Sequence, residues 1–317
     1  MPSRLKLIYY KTRLPLIDIG RLDDLIIVAG MGRSGTTWAG NIINYDNSYR
    51  VLFEPFFPAK ASEAKGFEYI QYLNPHYRNE VLANQARAIL TGDVRNDWVD
   101  RGNDRLLYRR RIVKDIRCNL MLGWLKRLAN NPPVVFVIRH PLQVLHSWLE
   151  LGWGKEAIGS RSDFDIITSQ KELSNDFPII KDVMGLIDRQ DLFETLLFEW
   201  CVYHLVPFRH LSKNDAYPLF YEKLLTNPTN EVGSLFRYLN KPIDADASHK
   251  SILASSGTNF LDRDYGRDQA RLLNSWKDDF SASQIRRADY ILSAFGLNGI
   301  YDKNGLPTDT QLFGDHS

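Results

Sequence analysis

The chain has 317 residues, 44% hydrophobic and 25% charged, with a formal net charge of +2. That is ordinary globular composition, suited to one large α/β domain with insertions or to two domains, of which a single domain over 1–317 is the reading the strand pattern below favours. So small a net charge supplies no overall field for nucleic acid or for a membrane surface, and any anion site must be local. Cys118 and Cys201 form no metal spacing and cannot staple a chain this size, which favours a reducing compartment. The first twenty residues are partly basic but hold no apolar run long enough for a secretion signal or a membrane span. They read as a lead-in to the first strand.

In chain order, the first strand is expected at Leu25–Ala29, and the loop after it is the most informative segment. It reads GMGRSGTTW. The spacing Gly30-x-x-x-x-Gly35 matches a Walker loop, whose backbone N–H groups cradle phosphates at a helix N-terminus. A Walker loop continues with Lys, which reaches the β- and γ-phosphates. Here Thr36 stands at that position, followed by Thr37, and the cation has moved forward to Arg33. Gly32, Arg33, Ser34, Gly35, Thr36 and Thr37 therefore keep an anion cradle without the lysine of nucleoside-triphosphate chemistry. The ligand implied is a phosphorylated nucleotide other than ATP or GTP.

Further strands are expected at Arg50–Phe53, Ile112–Asp115, Val134–Ile138 and Pro218–Tyr221. Between them run helical stretches, the pattern of a parallel sheet with crossover helices. VVFVI (134–138) is apolar throughout, as a strand buried on both faces should be. Two long excursions, about 55–110 and 150–190, show no strong sheet pattern. Segments after strand C-termini build the substrate side of an open α/β sheet. The tail beyond Leu306 reads as disordered. The fold class is thus a P-loop-type parallel sheet of about five strands with helices on both faces.

Four more features fall at strand ends. Glu54 follows the second strand in VLFEPF. Lys114 and Arg117 close the third in IVKDIR. Arg139 ends VVFVI, Pro141 opens a helix, and Ser147 lies two turns inside it. YGRDQARLLNSWKDD is basic, with Arg267, Arg271, Trp276 and Lys277. C-terminal strand ends converge on one edge of a parallel sheet, so these groups can share a cleft with the loop.

This set, in this order, resembles the sulfotransferases that use 3′-phosphoadenosine 5′-phosphosulfate. The loop GMGRSGTTW matches their 5′-phosphosulfate loop, and Arg139 with Ser147 eight residues on matches their 3′-phosphate motif. Phe-Glu-Pro, Lys-x-x-Arg and FYEKLLTNP look most like carbohydrate sulfotransferases. The resemblance covers about 25–55, 110–150 and 215–295. It departs at His140, where the family usually has Asp; that position leads into the helix, so the departure bears on the local cap.

The resemblance implies a co-substrate, 3′-phosphoadenosine 5′-phosphosulfate, and an acceptor hydroxyl on a carbohydrate or glycolipid. It gives Arg33 and Lys114 the sulfonate and bridging oxygens, where charge develops. Arg267 and Arg271 would cover the 3′-phosphate, and Trp276 is either core or an adenine wall. An alcohol is a poor nucleophile at neutral pH, so a base is needed. Glu54 is the candidate, with its pKa expected to rise beside Phe53, Phe56 and Phe57. His140 and His146 compete, but both sit on the 3′-phosphate helix. The catalytic set is therefore Glu54, Lys114 and Arg33. Neither the sequence nor this chemistry calls for a metal, and no nucleic acid partner or transmembrane segment is implied. A cytoplasmic enzyme is expected. The rivals are a nucleotide or small-molecule kinase, disfavoured by Thr36 and by Arg139 where a Mg²⁺-binding acid would stand, and a binding protein with a degenerate site.

Overall fold

A run of six apolar or small residues cannot leave either face in water, and Leu25–Gly30 is buried at every position. Residues 16–152, 162–242 and 269–314 are described by the computed structural model. Its strands are β1 (Ile17–Asp18), β2 (Leu25–Gly30), β3 (Tyr49–Phe53), β4 (Leu107–Tyr108), β5 (Arg110–Asp115), β6 (Val134–Ile138) and β7 (Ala216–Phe220). Five form one sheet in the order β3-β5-β2-β6-β7, every pair parallel. The expected fold class holds. β2 lies between β5 and β6, so chain connections diverge to either side of it, where open α/β sheets bind ligands.

Side chains alternate along each strand and feed two hydrophobic clusters. Ile26, Val28, Ile112, Val135 and Val137 join Trp38, Ile42, Leu225 and Phe236. Those come from the helices Thr36–Ile43, Tyr221–Thr226 and Pro228–Tyr238. On the other face Ile27, Val113, Val134 and Phe136 pack with Val144, Leu197, Trp200 and Ile291. Their helices are Pro141–Glu150, Leu192–His210 and Ala282–Ala294. Leu192–His210 is buried nearly all round, as an internal helix must be.

Both excursions join the second cluster through Phe56, Phe67, Ile70, Val99, Phe164 and Ile180. The first contains the helix Glu80–Leu90 and ends in β4, whose two residues pair with β1. The described part of the second holds the short helices Asp163–Thr168, Lys171–Asp176 and Ile179–Met184. Gln170 ties one excursion to the other: its amide accepts from Tyr72 N (2.7 Å) and donates to Ile70 O (2.9 Å).

Two expectations change. The tail beyond Leu306 is ordered through Gly314, because Phe313 is 4% exposed and meets Phe136 and Phe208 edge-on. One apolar residue with a place in the core outweighs the polar composition around it. The last strand runs Ala216–Phe220, and Tyr221 opens a helix instead of closing the strand. Pro218 fits there because β7 is an edge strand.

Arg50, on edge strand β3, anchors the first excursion. Its guanidinium is fully buried and bonds Asp18 (2.8 Å), Asp100 (2.8 Å) and the carbonyls of Gly92 and Val94. Removing one member of a buried ion cluster strands the others, at a cost of about 3–5 kcal/mol. Arg50→Met should therefore lower the unfolding free energy in urea by about that amount. A loss under ~1 kcal/mol would show that the cluster contributes little beyond packing.

Candidate active site

The β2–β5 and β3–β5 registers decide which groups meet. Val28 pairs with Lys114 and Phe53 with Lys114, so Gly30, Glu54 and the end of β5 leave the sheet at one edge. Gly30 pairs with Val137 on the other side, which brings Arg139 to the same edge.

The loop between β2 and its helix turns through left-handed backbone at Arg33 (φ 70°) and Gly35 (φ 98°). Gly35 is required there: a Cβ would lie 2.8 Å from the Tyr221 ring. The first-turn N–H groups of the helix that begins at Thr36 have no partner within the helix and open toward the loop. Thr36 is buried and Thr37 half-buried. Ser34 is fully buried, its Oγ without a hydrogen-bond partner. An orphaned hydroxyl in an amide-lined turn suits an anion's oxygens.

Arg33 joins the two halves of the site. Its Nε donates to Ser147 Oγ at 3.0 Å, and its carbonyl accepts from Arg139 Nη1 at 2.9 Å. Arg139 also donates from Nε to Gln143 (3.0 Å), and its guanidinium lies 4.3 Å over the Tyr221 ring. Burial, and then the Arg139 charge, push the Arg33 pKa down. Two indole N–H groups brace the backbone here: Trp148 Nε1 donates to Gly32 O (2.8 Å) and Trp200 Nε1 to Arg139 O (3.1 Å).

Glu54 sits in the left-handed region (φ 45°) and is 5% exposed. Its Oε1 accepts from Lys114 Nζ at 2.8 Å and its Oε2 from Arg117 Nη1 at 2.5 Å. Burial pushes its pKa up, but Lys114 and Arg117 outweigh burial and the net shift is downward. The expected upward shift is thus corrected. The aromatic neighbours do not desolvate a lone carboxyl; Phe53 lies against Lys114 Nζ (4.3 Å) and Phe57 against the Arg117 guanidinium (4.1 Å). Burial depresses the Lys114 pKa, with Glu54 opposing. Asp115 accepts from the N–H groups of Phe56 (2.9 Å) and Arg117 (2.7 Å), fixing both turns around this cluster.

Behind Arg117 opens a cavity of about 630 Å³ whose wall includes Met31, Gly32, Tyr69, Trp148, Asp163 and Glu199. Met31 and Gly32 of the loop and Arg117 line it, while Glu54 is bonded to Arg117 and Lys114 in turn to Glu54. The sequence marks Arg117 as a strand-end charge and as the last residue of Lys-x-x-Arg, with no role attached to it. Asp163 and Glu199 left no such signal, since each is an isolated acid in a helical segment.

Arg267 lies outside the described residues, and Arg271 falls in the helix Gln269–Asp279, its side chain likewise outside them. Trp276 is 5% exposed and stacks on His140 at 4.5 Å, so it is chiefly core. The His140 ring caps nothing; its backbone N–H donates to Glu222 Oε1 (2.9 Å), and burial holds its pKa at about 3. His146 bonds Asp279 at 2.9 Å. Neither histidine lines the cavity.

Among the described residues no helix is long and apolar enough to cross a membrane. No curated protein is similar enough to count as a relative. Several solved structures are similar over most of their length. One is a sulfotransferase domain from the curacin biosynthetic pathway, 15% identical over 86% of this chain and 99% of that one, with a TM-score of 0.45. Another is a mouse sulfotransferase complexed with PAP, 12% identical over 87% and 84%, with a TM-score of 0.44. A third is the sulfotransferase domain of the Synechococcus PCC 7002 olefin synthase, 15% identical over 87% and 94%, with a TM-score of 0.45. The family model described as the sulfotransferase domain matches residues 23–294, from the start of β2 to the end of the last long helix. The chain belongs to the sulfotransferase domain family, and it is an enzyme of sulfuryl transfer.

Proposed function

We propose that the chain moves a sulfuryl group from 3′-phosphoadenosine 5′-phosphosulfate to a hydroxyl of a carbohydrate or glycolipid. The observation that carries the donor is the Arg33–Arg139 pair. Two guanidinium groups are brought together between the loop and Ser147, and each depends on the other's segment for its position. Like charges held this close, with the Arg33 pKa depressed, make a site that gains from an anion with phosphates at both ends. Ser34 Oγ and the first-turn N–H groups suit the 5′ end; Arg139 and Ser147 suit the 3′-phosphate.

In the proposed reaction Glu54 takes the proton of the acceptor hydroxyl as its oxygen bonds to sulfur. Lys114, with Arg33, stabilises the negative charge gained by the bridging oxygen as the old S–O bond breaks. The electron pair leaves on adenosine 3′,5′-bisphosphate. Glu54 is ionised throughout the neutral range because its pKa is depressed, so it is ready to accept a proton; Arg117 holds it in place. A carbohydrate acceptor is supported by the cavity wall, where Tyr69, Trp148 and Phe164 give flat faces and the acids give hydrogen-bond acceptors. Cytoplasmic location is supported by the free thiols of Cys118 and Cys201.

Adenosine 3′,5′-bisphosphate should raise the melting temperature, and ADP or ATP, with or without Mg²⁺, should raise it much less. Ligand at ~100 times its dissociation constant stabilises the native state by about 2.7 kcal/mol. Arg139→Ala should remove most of the preference, worth on the order of 10- to 100-fold in affinity. Equal shifts from ATP–Mg²⁺ and the bisphosphate would sink the donor assignment and revive a kinase.

Ser34→Ala should melt no lower than the parent without ligand, because its hydroxyl has nothing to lose, yet bind the bisphosphate roughly tenfold more weakly. Isothermal titration checks this; unchanged affinity would remove Ser34 from the phosphate site.

Glu54→Gln should leave bisphosphate affinity within a few-fold and lower turnover by about 10²–10⁴. Lys114→Ala should lower it by roughly 10² with a smaller effect on donor KM. Near-normal turnover in the first variant, or a change confined to KM in the second, would reassign the residue concerned.

A further inference from the structure

One wall of the cavity carries more acid than sulfuryl transfer uses. Glu199, on the Leu192–His210 helix, is 3% exposed and lines the cavity. The Phe164 N–H donates to its carboxyl, while Oε2 has no hydrogen-bond partner. Asp163, half-buried in the facing helix Asp163–Thr168, acts electrostatically on Glu199, Tyr203 and Tyr69, so the four form one cluster. The cation that acts on Asp163 is Arg117, and Arg117 is already bonded to Glu54. Arg189 also lines the cavity but is exposed, and Asp165 is engaged with Ser162.

Two acids thus line the cavity, and among the described residues the cation that acts on Asp163, Arg117, is shared with Glu54. A carboxyl is buried at low cost only when a counter-charge or hydrogen bonds satisfy it. The protein supplies one N–H to Glu199 and a shared guanidinium to Asp163, which leaves room for a donor brought by the ligand.

We propose that this wall binds a basic nitrogen of the acceptor, so that the substrate is an amino alcohol, such as a sugar with a free amine. The ammonium sits between Asp163 and Glu199, and a hydroxyl of the same molecule faces the loop and Arg117. This deepens the sulfotransferase reading and rests on it. A neutral polyol could meet the Glu199 carboxyl but would leave Asp163 without a counter-charge, whereas an ammonium serves both and its three N–H donors can satisfy the orphaned Oε2. The tyrosine rings beside the acids add cation–π attraction. Burial pushes the Asp163 pKa up to about 6, with Arg117 opposing, and pushes Glu199 well above the carboxylate range. A bound cation would reverse both shifts.

The test uses the full chain, the radiolabelled sulfate donor and two probes: a glucosamine disaccharide with free amines, and the same disaccharide N-acetylated. The amine form should show a KM about 10- to 100-fold lower, the worth of a charge-assisted contact. In Asp163→Asn and Glu199→Gln the ratio of kcat/KM for the two probes should fall by tenfold or more, toward one. Retention of the bisphosphate melting shift shows that each variant is folded, and the half-buried Asp163 suffices should Glu199→Gln fail to fold. Equal or better use of the acetylated probe, no transfer to the amine probe, or an unchanged ratio in Asp163→Asn overturns the amine inference. If the parent's bisphosphate shift persists in those cases, the sulfotransferase reading stands. Its absence would sink both.

Discussion

The cluster of Glu54, Lys114 and Arg117, the proposed catalytic centre, depends on strand pairing. Its geometry exists only because Phe53 pairs with Lys114 and the Glu54 N–H continues the ladder to the Lys114 carbonyl at 2.7 Å. The left-handed turn at Glu54 costs about 1–2 kcal/mol of backbone strain, and the two ion pairs hold it in place. One carboxylate between two cations leaves a positive surplus, with Asp115 pushed toward its neutral form by burial. Such a surplus is expensive to desolvate alone and suits an anionic group placed against it. Arg117 then fixes the cavity, since its guanidinium stacks on Phe57 and approaches Tyr69 at 5.4 Å.

The loop follows the same logic with neutral groups. Its carbonyls at Gly32 and Arg33 accept from Trp148 and Arg139, which fixes the loop's backbone. Tyr221 packs against both Gly35 and the Arg139 guanidinium, coupling the loop to β7 through one ring. Donors aimed before the ligand arrives need no reorganisation when charge develops, and that is how a fixed dipole lowers a barrier.

The sheet edge and the helical wall of the cavity beside it differ in character. Arg33, Arg139, Lys114 and Arg117 cluster at the sheet edge, and Asp163 and Glu199 line the side built from the helices. The proposed amine-bearing acceptor is the molecule complementary to that polarity: electron-poor at one end, and at the other ready to lose a proton beside an anionic donor. In that proposal specificity would come largely from the helical side, because the strand-edge groups are proposed to serve the donor and the transfer step.

Adjacent residues carry their own message, and so the sequence by itself determined the fold class and all five sheet strands to within two residues. Apolar runs must be buried on both faces, and Gly35 must turn where no Cβ fits, whatever lies elsewhere in the chain. The last strand was placed one residue too far at its end, and the tail was misread, because Tyr221 and Phe313 take their roles from rings far away in sequence. The direction of the Glu54 pKa shift was likewise misread. The aromatic flanks were visible locally, whereas Lys114 and Arg117 arrive from sixty residues on and reverse the sign. Only the tertiary structure decided that Arg33 ties the loop to Arg139 and Ser147, that His140 is a stacked core ring, and that Asp163 and Glu199 line one cavity. Each of these depends on charges and rings meeting across helices, and Coulomb energy and desolvation depend on distance in space, which sequence order does not encode.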